Sequence, residues 1–137
     1  MSGKAFFDTN VLVYAVTEGD PRSTQAEQLL ASGGLISVQV LNEFAAVASR
    51  KLRMPWPDVR EALDAFLEIC PDPSPVTIDL HRAAVPIAEE NGCGIYDALI
   101  VAAALREGCA VLYSEDFQDG RVFEGKLTVR NPFLDRE

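Results

Sequence analysis

The sequence holds one histidine, His81, and three cysteines, Cys70, Cys93 and Cys109, with no C-x-x-C pair among them. A structural zinc site takes roughly four Cys or His ligands at paired spacings, so none is expected, and a lone histidine excludes histidine-pair catalysis. The odd cysteine count does not suit a disulfide framework. Apolar or small neighbours flank each thiol, as for small hydrophobes in a reducing cytosol. Long hydrophobic runs are missing too. The longest, Ala98 to Leu105, is far short of the roughly 20 residues that cross a bilayer, and no basic region followed by an apolar stretch opens the chain. The expectation is a cytoplasmic protein without a membrane partner.

Positive charge is also scarce. Lys and Arg number 12 against 21 Asp and Glu, a net charge of −9, which argues against holding nucleic acid on a broad basic face. That balance suits nucleic-acid chemistry only if the acids bind cations, or if a basic partner or a second subunit supplies positive surface.

What is present describes a folded domain. The 137 residues fall within the ~100–200 of one domain, and 48% hydrophobic with 24% charged residues is ordinary globular usage. No repeat, charge block or linker interrupts the chain, so a single domain over residues 1–137 is expected. Ala5 to Asp8 reads as a strand, followed by a break at Asp8-Thr9-Asn10 and a helical stretch over Val11 to Val16. Asp20 and Pro21 can open the next helix, which Gly33-Gly34 ends. Leu35-Ile36 reads as a short strand. Ser37 caps a helix to about Lys51, with Leu41, Phe44, Ala45 and Ala48 inward.

Pro57 opens a helix to Cys70 that buries Leu63, Phe66 and Leu67, and the turn-rich Pro71 to Pro75 follows. Val76 to Ile78 reads as a strand, and Asp79 can cap a helix that contains Pro86 and stops at Gly92. Tyr96 to Glu107 is apolar almost all round and belongs in the centre. Ala110 to Tyr113 reads as a strand and Lys126 to Arg130 as a final edge strand. The alternation predicts an α/β fold, with a short, mostly parallel sheet flanked by helices on both faces.

In open α/β sheets ligands sit beyond the carboxyl ends of the strands, and four acids fall there. Asp8 ends a strand, where turn formation alone could explain it. Glu43 interrupts the apolar row of Val40 and Val47, although a solvated helix residue would serve. Asp97 suits the first-turn dipole, yet it is the only charge from Cys93 to Leu105. Asp116 lies in a polar loop with Glu115 and Asp119, where acids are common. Converging carboxylates repel one another unless cations lie among them, and all-oxygen ligation selects Mg²⁺ or Mn²⁺. Two such ions about 4 Å apart can activate water and stabilise both oxygens of a phosphodiester displacement. That is nuclease chemistry.

The opening Phe6-Phe7-Asp8-Thr9-Asn10-Val11-Leu12, Asn42-Glu43-Phe44, Tyr96-Asp97-Ala98-Leu99 and Leu112-Tyr113-Ser114-Glu115-Asp116 stand in the order of the four acidic motifs of PIN-domain ribonucleases. With the closing Asn131-Pro132-Phe133, the chain resembles the VapC-type toxins of that family from Phe6 to Phe133. The resemblance implies metal binding by Asp8, Glu43, Asp97 and Asp116, with hydrogen-bond support from Thr9, Asn10 and Ser114. Asp119 is a candidate extra ligand, and the fourth position lies open among Glu115, Asp116 and Asp119. It further implies a homodimer, cleavage of tRNA or another structured RNA, and neutralisation by a cognate antitoxin.

Two rival functions carry their own marks. A phosphatase or phosphoacceptor using Asp8 would show D-x-D-x-T, whereas Asp8-Thr9-Asn10 lacks the second acid. A catalytically silent PIN-like module that only binds RNA or protein would be expected to lack some of the four acids. Arg50, Lys51 and Arg53 complement a helix C-terminus or contact RNA. His81 reads as a surface residue and Trp56 as a packing anchor.

Overall fold

A computed structural model describes residues 4–134. Its elements are β1 (Lys4–Phe7), α1 (Thr9–Val16), α2 (Ser23–Ala31), α3 (Val38–Arg50), α4 (Trp56–Ile69), α5 (Ile78–Asn91), α6 (Ile95–Arg106), β2 (Cys109–Tyr113), β3 (Val122–Phe123) and β4 (Leu127–Arg130). The sheet order is β1-β2-β4-β3, parallel except where β3 meets β4. An α/β fold with a mostly parallel sheet is therefore present. Successive strand residues point to opposite faces, and Phe6 and Phe7 are both fully buried, so β1 is covered on both sides. Among the described residues no helix is long and apolar enough to cross a membrane.

α6 is buried without a break from Ala98 to Ala104, as its all-round apolar sequence requires. α3 buries Val40, Phe44 and Ala48, and the Phe44 ring meets Phe66 of α4 edge-on at 4.9 Å. Ser37 caps α3 by accepting from the Val40 N–H at 3.2 Å. All three cysteines are free, and burial lifts the Cys109 thiol to about 11.

Several local expectations are corrected. α1 begins at Thr9, because Asp8 itself is the N-cap. Asp20 does not cap α2. Its carboxylate is taken by the Arg22 backbone and guanidinium, and the helix starts at Ser23 after Pro21. Leu35-Ile36 makes one bridge, Leu35 to Phe6, rather than a strand. Val76 to Ile78 is not a strand: the Thr77 hydroxyl accepts from the Leu80 N–H at 3.1 Å and caps α5, so Asp79 lies in its first turn. A Thr hydroxyl that caps the next three residues can start a helix even from within a β-branched stretch.

β4 is interior, not an edge. Glu124 and Gly125 have φ of 52° and 66°, the positive values that a primed two-residue turn needs, and they fold β3 back along it. On α4, Val59 and Phe66 face inward while Leu67 is exposed. Trp56, ahead of that inward face, is 61% exposed and anchors nothing.

Gly34 sets how closely the chain passes β1. A Cβ there would stand 2.5 and 2.8 Å from ring carbons of Phe7 and 3.0 Å from the Ala5 carbonyl oxygen. The Phe7 ring is buried and stacked on Tyr113 at 6.0 Å, so it has little room to yield. Gly34→Ala should cost about 1–3 kcal/mol through overpacking, read by chemical denaturation. An unchanged midpoint would mean that this close approach does not constrain β1.

Candidate active site

Strand register builds the site. Phe7 pairs with Tyr113 and Tyr113 with Arg130, so β1 and β2 end side by side. The Asp8 N–H donates to the Tyr113 carbonyl at 3.0 Å and the Ser114 N–H to that of Arg130 at 3.0 Å, carrying the ladder one residue past each strand. Asp8 and Ser114 thus emerge as neighbours.

Asp8 is 1% exposed, and both its oxygens are engaged. One accepts from the Thr9 N–H at 2.6 Å and the other from the Ser114 hydroxyl at 2.6 Å. Burial nevertheless dominates and raises this carboxyl to about 7, with Asp116 and Asp97 pushing the same way against the two hydrogen bonds.

Glu43, half-buried on α3, is held from two sides. Thr9 Oγ1 donates to Oε1 at 3.4 Å and Gln39 Nε2 to Oε2 at 3.0 Å. Burial lifts its pKa above the usual carboxylate range, and Asp97 and Asp116 add to the shift. Asp97, in the first turn of α6, is raised by burial and then by Asp116. Asp116 is exposed. It accepts from Asn10 Nδ2 at 3.3 Å, and its backbone N–H donates to Ser114 Oγ at 3.0 Å.

The other loop acids are bonded to other partners. Glu115 accepts from the Tyr14 hydroxyl, and its second oxygen lies 3.9 Å from Arg22. Asp119 accepts from the Asn131 N–H at 2.8 Å.

The four acids feel one another, yet among the described residues no three Asp, Glu, His or Cys side chains stand in a metal-holding arrangement. Both observations hold together: like charges at this range shift each other's protonation and favour a splayed arrangement. The donor set fits a hard divalent ion. It is all oxygen, it is drawn from four separate elements, and beside it Asn10 Oδ1 is buried with no partner. Closing on an ion would require Glu43, Asp97 and Asp116 to reorient around a fixed Asp8.

Three contributors escaped the sequence reading. Gln39 precedes Glu43 by one helical turn and is 8% exposed, a buried polar residue on an apolar face. Tyr14 and Arg22 form a second network against the same loop. Lys51 and Leu52 line one groove with Thr9, Glu43 and Asp116, whereas Arg50 and Arg53 are exposed and lie outside that lining. His81 is exposed, as expected.

The sequence profile of the PIN domain matches residues 5–121. Solved structures that share the fold include the following three. A toxin-antitoxin complex from Klebsiella pneumoniae superposes with a TM-score of 0.70 at 22% identity, over 94% of this chain and 98% of that one. VapBC2 from Rickettsia felis, bound to a DNA fragment from its promoter, gives 0.66 at 21%, over 93% and 98%. The Mycobacterium tuberculosis toxin VapC20, which cleaves the sarcin-ricin loop, gives 0.62 at 24%, over 82% and 89%. Comparison with curated protein sequences returns no match.

The raised Asp8 carboxyl has a pH signature in metal-free protein. Its folded value of about 7 exceeds the ordinary 3.8, so the native state binds more protons than the unfolded chain between those values. Its contribution to stability is therefore greatest below about pH 4 and is lost as the pH rises towards 7. In EDTA, Asp8→Asn should melt several degrees above the wild type at pH 8, with the gain gone at pH 4. Equal differences at the two pH values would show that burying this charge costs the fold nothing.

Proposed function

The chain belongs to the PIN domain family, and from that membership we propose that it is a divalent-metal-dependent endoribonuclease, the toxin of a toxin-antitoxin pair. The observation that carries this reading is the buried carboxylate of Asp8, fixed by Thr9 and Ser114 and electrostatically coupled to Asp97 and Asp116. A protein that needed only a strand-ending turn would have no use for two further acids raising the cost of its charge.

In this reading Asp8, Glu43, Asp97 and Asp116 hold Mg²⁺ or Mn²⁺. The ion, when bound, supplies an activated water and charge stabilisation on the scissile phosphodiester. Asp8 is the rigid ligand, because both its oxygens are already oriented. Thr9 and Gln39 orient Glu43. Asn10 orients Asp116, and Ser114 bridges Asp8 to the Asp116 backbone. Asp119, by holding Asn131, serves the loop rather than the ion. The whole of residues 1–137 acts as one nuclease domain, working on RNA in the cytoplasm as a homodimer. An antitoxin partner is supported by the Klebsiella and Rickettsia complexes, and basic residues on it would suit a groove rich in acid.

A silent binding module is the second reading, favoured by the splayed acids. A calorimetric Mn²⁺ titration separates the two. A phosphoacceptor role for Asp8 is disfavoured, since neither of its bonded, buried oxygens is poised for attack.

Cleavage of RNA should require Mg²⁺ or Mn²⁺, stop in EDTA, and fall by orders of magnitude in Asp8→Asn or Asp97→Asn. Sequencing of RNA ends after pulse expression, beside Asp8→Asn, reads both activity and target, and full cleavage by that variant would sink the site. Lys51 is the cation that lines the groove. Lys51→Glu should slow cleavage and flatten its salt dependence by about 0.7 per lost phosphate contact, with Arg50→Glu weaker in both respects. Equal effects of the two would place the RNA contact elsewhere.

A further inference from the structure

The Ser114-Glu115-Asp116 segment is gripped from both sides of the chain. Ser114 and Asp116 are bonded to Asp8 and Asn10, while Glu115 between them, on the wall of the same groove, takes other partners. There its carboxylate accepts from the Tyr14 hydroxyl, and Arg22 Nη1 donates to the same hydroxyl oxygen at 2.8 Å. Arg22 is itself immobilised. Its guanidinium lies 3.8 Å over the Tyr14 ring and forks onto Asp20 at 2.9 and 2.7 Å. The Tyr14 ring packs edge-on against Phe133 at 4.9 Å. Tyr14 also sits on α1, the helix that Asp8 caps.

We propose that the Tyr14 hydroxyl is a positioning residue of the metal site: by tethering Glu115 it restrains Asp116, the next residue along, on the Asp8 side of the loop and so limits the reorientation that closing on an ion would require. The proposal rests on the nuclease reading above, in which Asp116 is a ligand. Asp116 is the exposed member of the four and is restrained within the site only by Asn10 and Ser114. A freely mobile ligand would have to be ordered by the ion itself, at a cost in affinity. The tether orders it beforehand from the wall of the groove. It also keeps the Glu115 carboxylate, one residue away, from competing for the place of Asp116.

The experiment measures Mn²⁺ affinity by the loss of the free-ion paramagnetic resonance signal. It compares wild type, Tyr14→Phe, Glu115→Ala and the double variant, with thermal melts alongside. Tyr14→Phe keeps the ring packed on Phe133 and beneath Arg22 and removes only the donor. It should weaken Mn²⁺ binding on the order of tenfold, the scale of a hydrogen bond to a charged group. Raised Mn²⁺ should then restore its cleavage rate. The double variant should lose less than the product of the two single losses, because both break one tether. Unchanged affinity in Tyr14→Phe, or losses that multiply fully, would overturn the proposal while leaving the nuclease reading standing. A wild type that binds no Mn²⁺ would overturn both.

Discussion

The parallel pairing of β1 with β2 is the constraint on which the site depends. It places Asp8 beside Ser114, 106 residues further along the chain, and lets a buried hydroxyl orient a buried carboxylate. The pairing is demanding, because two parallel strands need a crossover and here the crossover comprises all six helices. It is secured by apolar packing on both faces of β1 and by the stack of Phe7 on Tyr113 immediately before the site. Gly34 belongs to the same arrangement, since it lets the chain pass against Phe7. The geometry of the carboxylates is therefore inherited from the hydrophobic core.

The core also sets their electrostatics. Asp8 cannot be solvated where the strand leaves it, so burial raises its cost of ionisation and the neighbouring acids raise it further. Such an arrangement works against metal-free stability, and it is informative for that reason. At the rim, Arg22 is committed to Asp20, Tyr14 and Glu115. Lys51 is the cation left lining the groove. Glu43, Glu115 and Asp116 outnumber Lys51 in the groove lining, a balance that suits a cation-bound site better than a basic nucleic-acid saddle.

Much of this was legible before any fold was known. Apolar runs marked β1, β2 and α6, the Ser37 cap marked α3, and acids at two strand ends and in the early turns of two helices marked the candidate site. Each of those signals is local, being a period, a cap or a charge set in an apolar stretch, and so a linear sequence carries it. The errors were local ambiguities that tertiary context resolved. Val76 to Ile78 has strand composition, but the Thr77 hydroxyl starts a helix instead. β4 looked like an edge until the Glu124-Gly125 turn laid β3 outside it.

The sequence by itself determined the fold class, the residue types of the site and the hard-oxygen chemistry they favour, because these follow from periodicity and from side-chain composition. Only the tertiary structure decided which of Glu115, Asp116 and Asp119 faces Asp8, since three acids within five residues are equivalent until their partners are known. Tyr14 and Arg22 take the first and the Asn131 backbone takes the last. Tyr14 lies 101 residues from Glu115 and Asn131 12 residues from Asp119, and both contacts exist only once the strands have been brought together.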